Sequence, residues 1–328
     1  MIPANGRFII LNRLVNSADR FQQCHKFLAF PYAVIKKYGE DNGGYQAALL
    51  TYYGFLSLFP LLLVATSVLQ IILHSHPNIR SDVIGHATQY FPVLGEQLQS
   101  NVHTAHGAGV ALVIGLLLTL WGAKGVADVF QYSLNHIWHV PRIKRPGFPS
   151  GLLKSLAVII LGGIGLVAAS LLSGLAAGID HTWAFRIIAS LVSILVLYLV
   201  FWTIFRIGLA GAAQASHGAL FRTALTAAIG VQILQIFGGY LVTHELGKLK
   251  HLYGTFAATL GLLFWIYLEA RLVMYAAVVG AVYDERLWPR SLDKANLTAA
   301  DRQALKGQAK RERSVIPEKI SVGFKDQK

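Results

Sequence analysis

From Asn42 to Ile79 the chain contains no Asp, Glu, Lys or Arg. Such a run leaves a polypeptide few options. The hydrocarbon core of a bilayer, about 30 Å thick, is crossed by ~20 apolar residues at a rise of about 1.5 Å each, and Ala47 to Leu73 at the heart of the run is long enough. The same reading picks out Gly107 to Ala123, Ser155 to Ile179, Ile187 to Phe205, Thr223 to Val242 and Leu252 to about Tyr283, the last being the one span with charges inside it. Six such elements in a soluble fold would need polar faces to dissolve them. Only 14% of the 328 residues are charged, where an ordinary soluble domain has about a quarter. Helices and closed barrels alone satisfy their backbone in lipid, and the short alternating segments of a barrel are missing. The expected fold class is an all-α membrane protein, a bundle of six transmembrane helices.

Basic residues set the orientation. The segment before the first span, the loops joining spans two to three and four to five, and the C-terminal tail together hold 24 Lys and Arg. The other three loops hold four, Arg80, Arg186, Lys248 and Lys250, and Arg271 lies inside the sixth span. This asymmetry predicts a multi-pass membrane protein with both termini in the cytoplasm. It also accounts for the net charge of +13, because anionic headgroups attract such segments by about 1 kcal/mol per basic residue. No RNA-recognition signature interleaves aromatics with these charges, so no specific nucleic-acid partner is expected.

Three regions follow. Residues 1–46 form a cytoplasmic or interfacial segment whose Phe8, Ile9, Leu11, Leu14, Val15, Phe21, Phe27 and Leu28 stand among six basic residues, the composition of an amphipathic helix lying on the inner leaflet. Phe8 to Leu11 is too short for the apolar region of a cleavable signal peptide. Residues 47–283 hold the spans, and residues 284–328 form a basic cytoplasmic tail. In the tail Thr298, with Asp301 three residues on, has the form of a capping box; a helix through about Arg313 is expected, then disorder. The first outer loop, His74 to His106, is long enough for short helices of its own. Small residues at four-residue spacing (Ala111, Gly115 and Thr119; Gly174 and Gly178; Ala257 and Gly261) suit close helix packing in lipid.

Polar groups inside the spans are the candidates for function. Tyr53, Ser57 and Pro60 share a helical face, and Pro60 clashes with the carbonyl of Leu56, so the helix is expected to bend or open there; Ser57, another helix or water would serve the freed carbonyl. Gln232 and Gln235 read as a polar seam. Glu269 and Arg271 are the sharpest signal, since charges within a span are costly and mark pathways or specific pairs. They point about 200° apart and each needs its own partner; for Glu269 the expected one is Arg222 or Arg206. Snorkelling to the interface is the alternative. Cys24 is the one cysteine, which excludes an internal disulfide and a CxxC motif. His74, His76, His86, His103, His106, His181, His244 and His251 fall in the outer regions, yet their spacings match no zinc signature. No metal and no other cofactor is expected.

Two stretches carry a resemblance: Asp41-Asn42-Gly43-Gly44-Tyr45-Gln46-Ala47-Ala48, continuing through Thr51-Tyr52-Tyr53 to Ser57-Leu58-Phe59-Pro60-Leu61-Leu62, and Trp121-Gly122 followed by Asn135-His136-Ile137-Trp138-His139-Val140-Pro141. Over roughly Phe27 to Trp288 the chain resembles the YihY/BrkB family of bacterial inner-membrane proteins, and Arg286-Leu287-Trp288-Pro289-Arg290-Ser291-Leu292 is similar to the family's actinobacterial branch. One departure stands out: where members often carry Gly-Ala-Glu near the end of the last span, this chain has Ala276-Ala277-Val278. The resemblance implies no settled activity. Members have been labelled ribonuclease, but a metallo-β-lactamase nuclease needs His-x-His-x-Asp-His, and His74-Ser75-His76 continues with Pro77-Asn78. With no nucleophile–base pair and no phosphate-binding loop, no catalytic activity is expected. The expected function is a transporter or flippase-like protein for a lipid or lipid-linked envelope precursor; the alternative is a non-transporting scaffold for envelope enzymes. Membrane lipids are the expected partners, with a homo-oligomer or an envelope assembly as further possibilities.

Overall fold

A computed structural model describes residues 16–73, 108–147, 149–177, 183–211, 215–241, 247–293 and 296–324. Among the described residues a short helix over 16–24 is followed by eight α-helices: α1 (Lys26–Glu40), α2 (Gly43–Leu73), α3 (Ala108–Ile137), α4 (Ser150–Ala177), α5 (Trp183–Gly208), α6 (His217–Leu241), α7 (Gly247–Asp284) and α8 (Ala299–Arg311). No strand occurs among the described residues. The six expected runs fall on α2 to α7. Three stretches, Val113–Ile137, Ser190–Gly208 and Thr259–Asp284, are long and apolar enough to cross a bilayer over residues that are described. Large apolar side chains stand out from them: Leu117 and Trp121 on α3, Leu191 and Leu195 on α5, Phe264 on α7. A surface like this suits lipid rather than water.

The chain divides into two compact units. The first comprises Met1–Gln46, Phe130–Gln232 and Arg271–Lys328; the second comprises Ala47–Val129 and Ile233–Ala270. In the first unit Leu197, Ala228 and Val231 form a core with Ile194, Tyr198, Phe201 and Leu272 around it. The Asn135 side chain ties helix ends together: its Oδ1 accepts from the Ala210 N–H at 2.8 Å, and its Nδ2 donates to the Gln131 carbonyl at 2.7 Å. Gln131 in turn donates to Ser155 Oγ at 2.7 Å, joining α3 to α4. In the second unit Gly122 and Gly125 of α3 are the sites where α2 comes close, with Ser57 and Tyr53 packed where a Cβ would be.

Four expectations change. The helix of the second run does not stop at Ala123; α3 continues to Ile137, with Lys124 and Asp128 paired one turn apart, a spacing that supports a helix. Pro60 does not open α2, which is helical on both sides of it, and the Ser57 hydroxyl donates to the Gly54 carbonyl at 2.8 Å, not to that of Leu56. The N-terminal segment is broken at His25, whose Nδ1 takes the Phe21 carbonyl at 2.8 Å, the group its own N–H would engage in a continuous α-helix. Finally, the chain beyond α8 is ordered through residue 324: the Ile143 N–H donates to the Arg313 carbonyl at 3.2 Å, and Arg302 and Lys306 lie over the Phe324 ring. The expected capping box is present, with Thr298 and Asp301 each serving the other's backbone N–H. The first outer loop lies outside the described residues.

Candidate functional site

Three helices of the first unit end in the same way. Asn42, His139 and Arg286 all have positive φ, at 55°, 50° and 49°. After α3 the His139 N–H bonds the His136 carbonyl and the Val140 N–H bonds the Asn135 carbonyl; after α7 the Arg286 N–H bonds the Tyr283 carbonyl and the Leu287 N–H bonds the Val282 carbonyl. Both are Schellman turns, in which the left-handed position usually belongs to glycine. A side chain held there costs on the order of 1–3 kcal/mol, which the surroundings must supply.

The surroundings do so with charge. Helix C-termini carry partial negative charge and attract cations. Lys37 and Asp41, both fully buried, pair at 2.9 Å. Arg311 reaches back from α8 to Asp41 Oδ1 at 2.9 Å and to the His136 carbonyl at 3.3 Å. Lys37 Nζ also lies 3.1 Å from His139 Nε2, and His139 Nδ1 lies 2.7 Å from Glu285 Oε2. The imidazole is thus held on both of its nitrogens, between Lys37 and Glu285. Burial opposes the charge on Asp41, but Lys37 foremost, then His139 and Arg311, outweigh burial and hold the carboxyl below its ordinary value.

A second cluster adjoins the first through neighbouring Glu40. Arg290, 1% exposed, donates from Nε to Asp301 Oδ1 at 2.6 Å and from Nη2 to both Glu40 oxygens at 2.6 and 2.7 Å. Lys36 Nζ donates to Asp301 Oδ1 at 2.9 Å and to the Ser291 carbonyl at 2.6 Å. Asp301 thus caps α8 and anchors two cations at once. Burial pushes its carboxyl up, while Lys36, the Ser291 N–H, Arg290 and Thr298 together hold it far below the usual carboxylate range. On the short first helix, Asp19 accepts from the Leu292 N–H and the Ser291 hydroxyl, each at 2.9 Å. The motifs around Asp41, His139 and Arg290 therefore build one polar core that joins the N-terminal segment to the tail. Sequence reading quoted these residues but assigned them no contact.

The span residues are distributed differently. Glu269, half-buried in α7, accepts from the Trp265 indole N–H at 3.0 Å, one turn earlier. In the first unit Arg222 donates to the Gly218 carbonyl at 3.0 Å and lies 3.6 Å over the Tyr283 ring, and Arg206 lies over Trp202. Arg271 is exposed and borders the stacked rings of Tyr38 and Tyr275, which are 3.8 Å apart. Gln232 accepts from Ser193 Oγ at 3.0 Å, joining α5 to α6, whereas Gln235 is exposed. Tyr53 and Ser57 pack on α3 as described, and Pro60 is half-buried in α2. Among the described residues no group of three potential metal ligands gathers; the outer histidines lie outside those residues, apart from His251, of which only the backbone is described.

No solved structure matches the chain. It is similar to inner membrane protein YhjD of Escherichia coli (strain K12), 24% identical over 85% of this chain and 88% of that protein. It is also similar to a UPF0761 membrane protein of Vibrio campbellii, 23% identical over 83% and 88%, and to the putative ribonuclease-like protein YfkH of Bacillus subtilis, 26% identical over 79% and 96%. The family model described as Virulence factor BrkB matches residues 34–300, a range that takes in all three motifs of the ionic core, and the chain belongs to that BrkB family of membrane proteins.

Proposed function

We propose that this protein is an inner-membrane transporter that crosses the bilayer six times, keeps both termini in the cytoplasm, and moves a lipid or lipid-linked envelope precursor. The observation that carries the reading is Glu269. It lies within Thr259–Asp284, a helix long and apolar enough to span, and among the described residues it has an indole N–H and no cation for a partner. An ionisable group placed so in a span is costly, and a substrate or proton pathway is the usual reason to keep one. Tyr53 and Ser57 of the same unit add polar groups that an amphiphile's headgroup would use. The basic asymmetry of the loops supports the orientation, and the printed name of the Escherichia coli relative supports the inner-membrane address.

The test uses purified full-length chain in liposomes carrying a headgroup-labelled phospholipid and a membrane-impermeant quencher. Transport predicts a fast fraction of inner-leaflet label reaching the quencher, and Glu269→Gln slows it at least several-fold. Quenching no faster than in protein-free liposomes overturns the reading and leaves the scaffold.

A further inference from the structure

The segment from residue 16 to residue 40 sorts its charges by side. Its acids point inward: Asp19 is 6% exposed and Glu40 is engaged by Arg290. Lys36 and Lys37 are spent on Asp301 and Asp41. What remains on the outside is Arg20 and Lys26, neither with an acidic partner among the described residues, together with Phe21 at 59%, Phe27 at 87%, Leu28 at 40% and Ile35 at 61% exposure. No carboxylate lies among the exposed residues of this segment. The inward side of α1 is meanwhile closed by Ala29, Ala33 and Val34.

We infer that this exposed surface, made by the short first helix, the first turn of α1 and the side of α1 that carries Leu28 and Ile35, docks on an anionic phospholipid bilayer, with the apolar side chains below the headgroups and Arg20 and Lys26 among the phosphates. A face that is apolar and purely cationic matches that chemistry. A second copy of the same face would set cation against cation, which disfavours self-pairing. The surface is also continuous with lipid-facing chain: two residues beyond Gly43, where α2 begins, Tyr45 stands 76% exposed, the residue type that settles at headgroup level. The inference needs only the membrane address of the family, not transport; a failed flipping assay leaves it standing.

The native Cys24, exposed on this face and the one cysteine of the chain, supplies the probe. Full-length protein labelled there with an environment-sensitive dye is placed in detergent, in phosphatidylcholine nanodiscs, and in nanodiscs with about one-third phosphatidylglycerol. Docking predicts blue-shifted emission and at least threefold less quenching by aqueous acrylamide, a neutral quencher, in the phosphatidylglycerol discs than in detergent. High salt, or Arg20→Gln with Lys26→Gln, returns quenching toward the phosphatidylcholine value, because exposed charges are screened. Phe27→Ser with Ile35→Ser abolishes protection in both lipids. All four side chains are exposed, so thermal midpoints in detergent stay unchanged and a misfolded variant is recognised. Equal acrylamide access in all three environments overturns the proposal. So does protection that appears in detergent and rises with protein concentration, which would assign the face to a second copy. Equal protection in the two lipid compositions overturns the headgroup assignment.

Discussion

Gly307 of α8 lies against the His139 imidazole so closely that a Cβ there would stand 2.5 Å from Nδ1. The ring has little freedom to yield, being held on its two nitrogens by Glu285 and Lys37. Gly307→Ala therefore strains the seat of the tail helix by about 1–3 kcal/mol, the usual cost of overpacking. The expected result is faster protease cleavage after α8 in detergent-solubilised protein, with an unchanged pattern in α3 to α7. Cleavage at the parental rate would show that α8 does not depend on this contact.

Arg290 is the buried cation on which Glu40 and Asp301 both rely. Removing one partner of a buried pair costs about 3–5 kcal/mol, because the other charges stay behind. Arg290→Ala is expected to lower the thermal midpoint strongly. Arg290→Lys keeps the charge but loses the planar fork that meets two carboxylates at once, so it falls between the two. Equal midpoints for the parent and Arg290→Lys would show that charge alone suffices.

Acid is expected to loosen the same core. Asp41 and Asp301 are both held below their ordinary values. A depressed carboxylate contributes its stability in full above the unfolded value of about 3.9 and loses it as the pH falls toward the folded value. Through these two carboxylates the thermal midpoint drops as the pH falls below about 4. Asp301→Asn starts lower and shows a shallower drop over that range.

How much of this was readable in advance depended on distance along the chain. Uncharged runs disclosed the membrane helices because length and polarity are local properties, and the Thr298–Asp301 cap was legible because both partners sit within one turn. Asp301's second role was not. Its cation Lys36 is 265 residues away, and Asp41 meets Arg311 across 270. Periodicity carries no information about such pairs. The motifs around Asp41, His139 and Arg290 were visible as words, but their common destination required the fold.

Gly280 gives the tightest helix approach among the described glycines of the first unit. A Cβ there would overlap Thr223 Oγ1, which donates to the Ala219 carbonyl at 3.0 Å, and would stand 3.2 Å from that carbonyl. Gly280→Ala is expected to separate α6 from α7 and lower the thermal midpoint. Adding Thr223→Ala removes the atom that is struck and restores part of the loss. If the double variant is no better than Gly280→Ala alone, the Ala219 backbone rather than the hydroxyl sets the limit.

The claim that the N-terminal segment and the tail are one folded unit is tested most directly by a double-mutant cycle on Asp41 and Arg311, whose side chains meet at 2.9 Å. Unfolding free energies of the parent, Asp41→Asn, Arg311→Met and the double variant would be measured in mild detergent. The account predicts a coupling energy of at least about 1 kcal/mol, as expected for buried partners in contact. Additivity to within about 0.3–0.5 kcal/mol, the behaviour of distant sites, would contradict it.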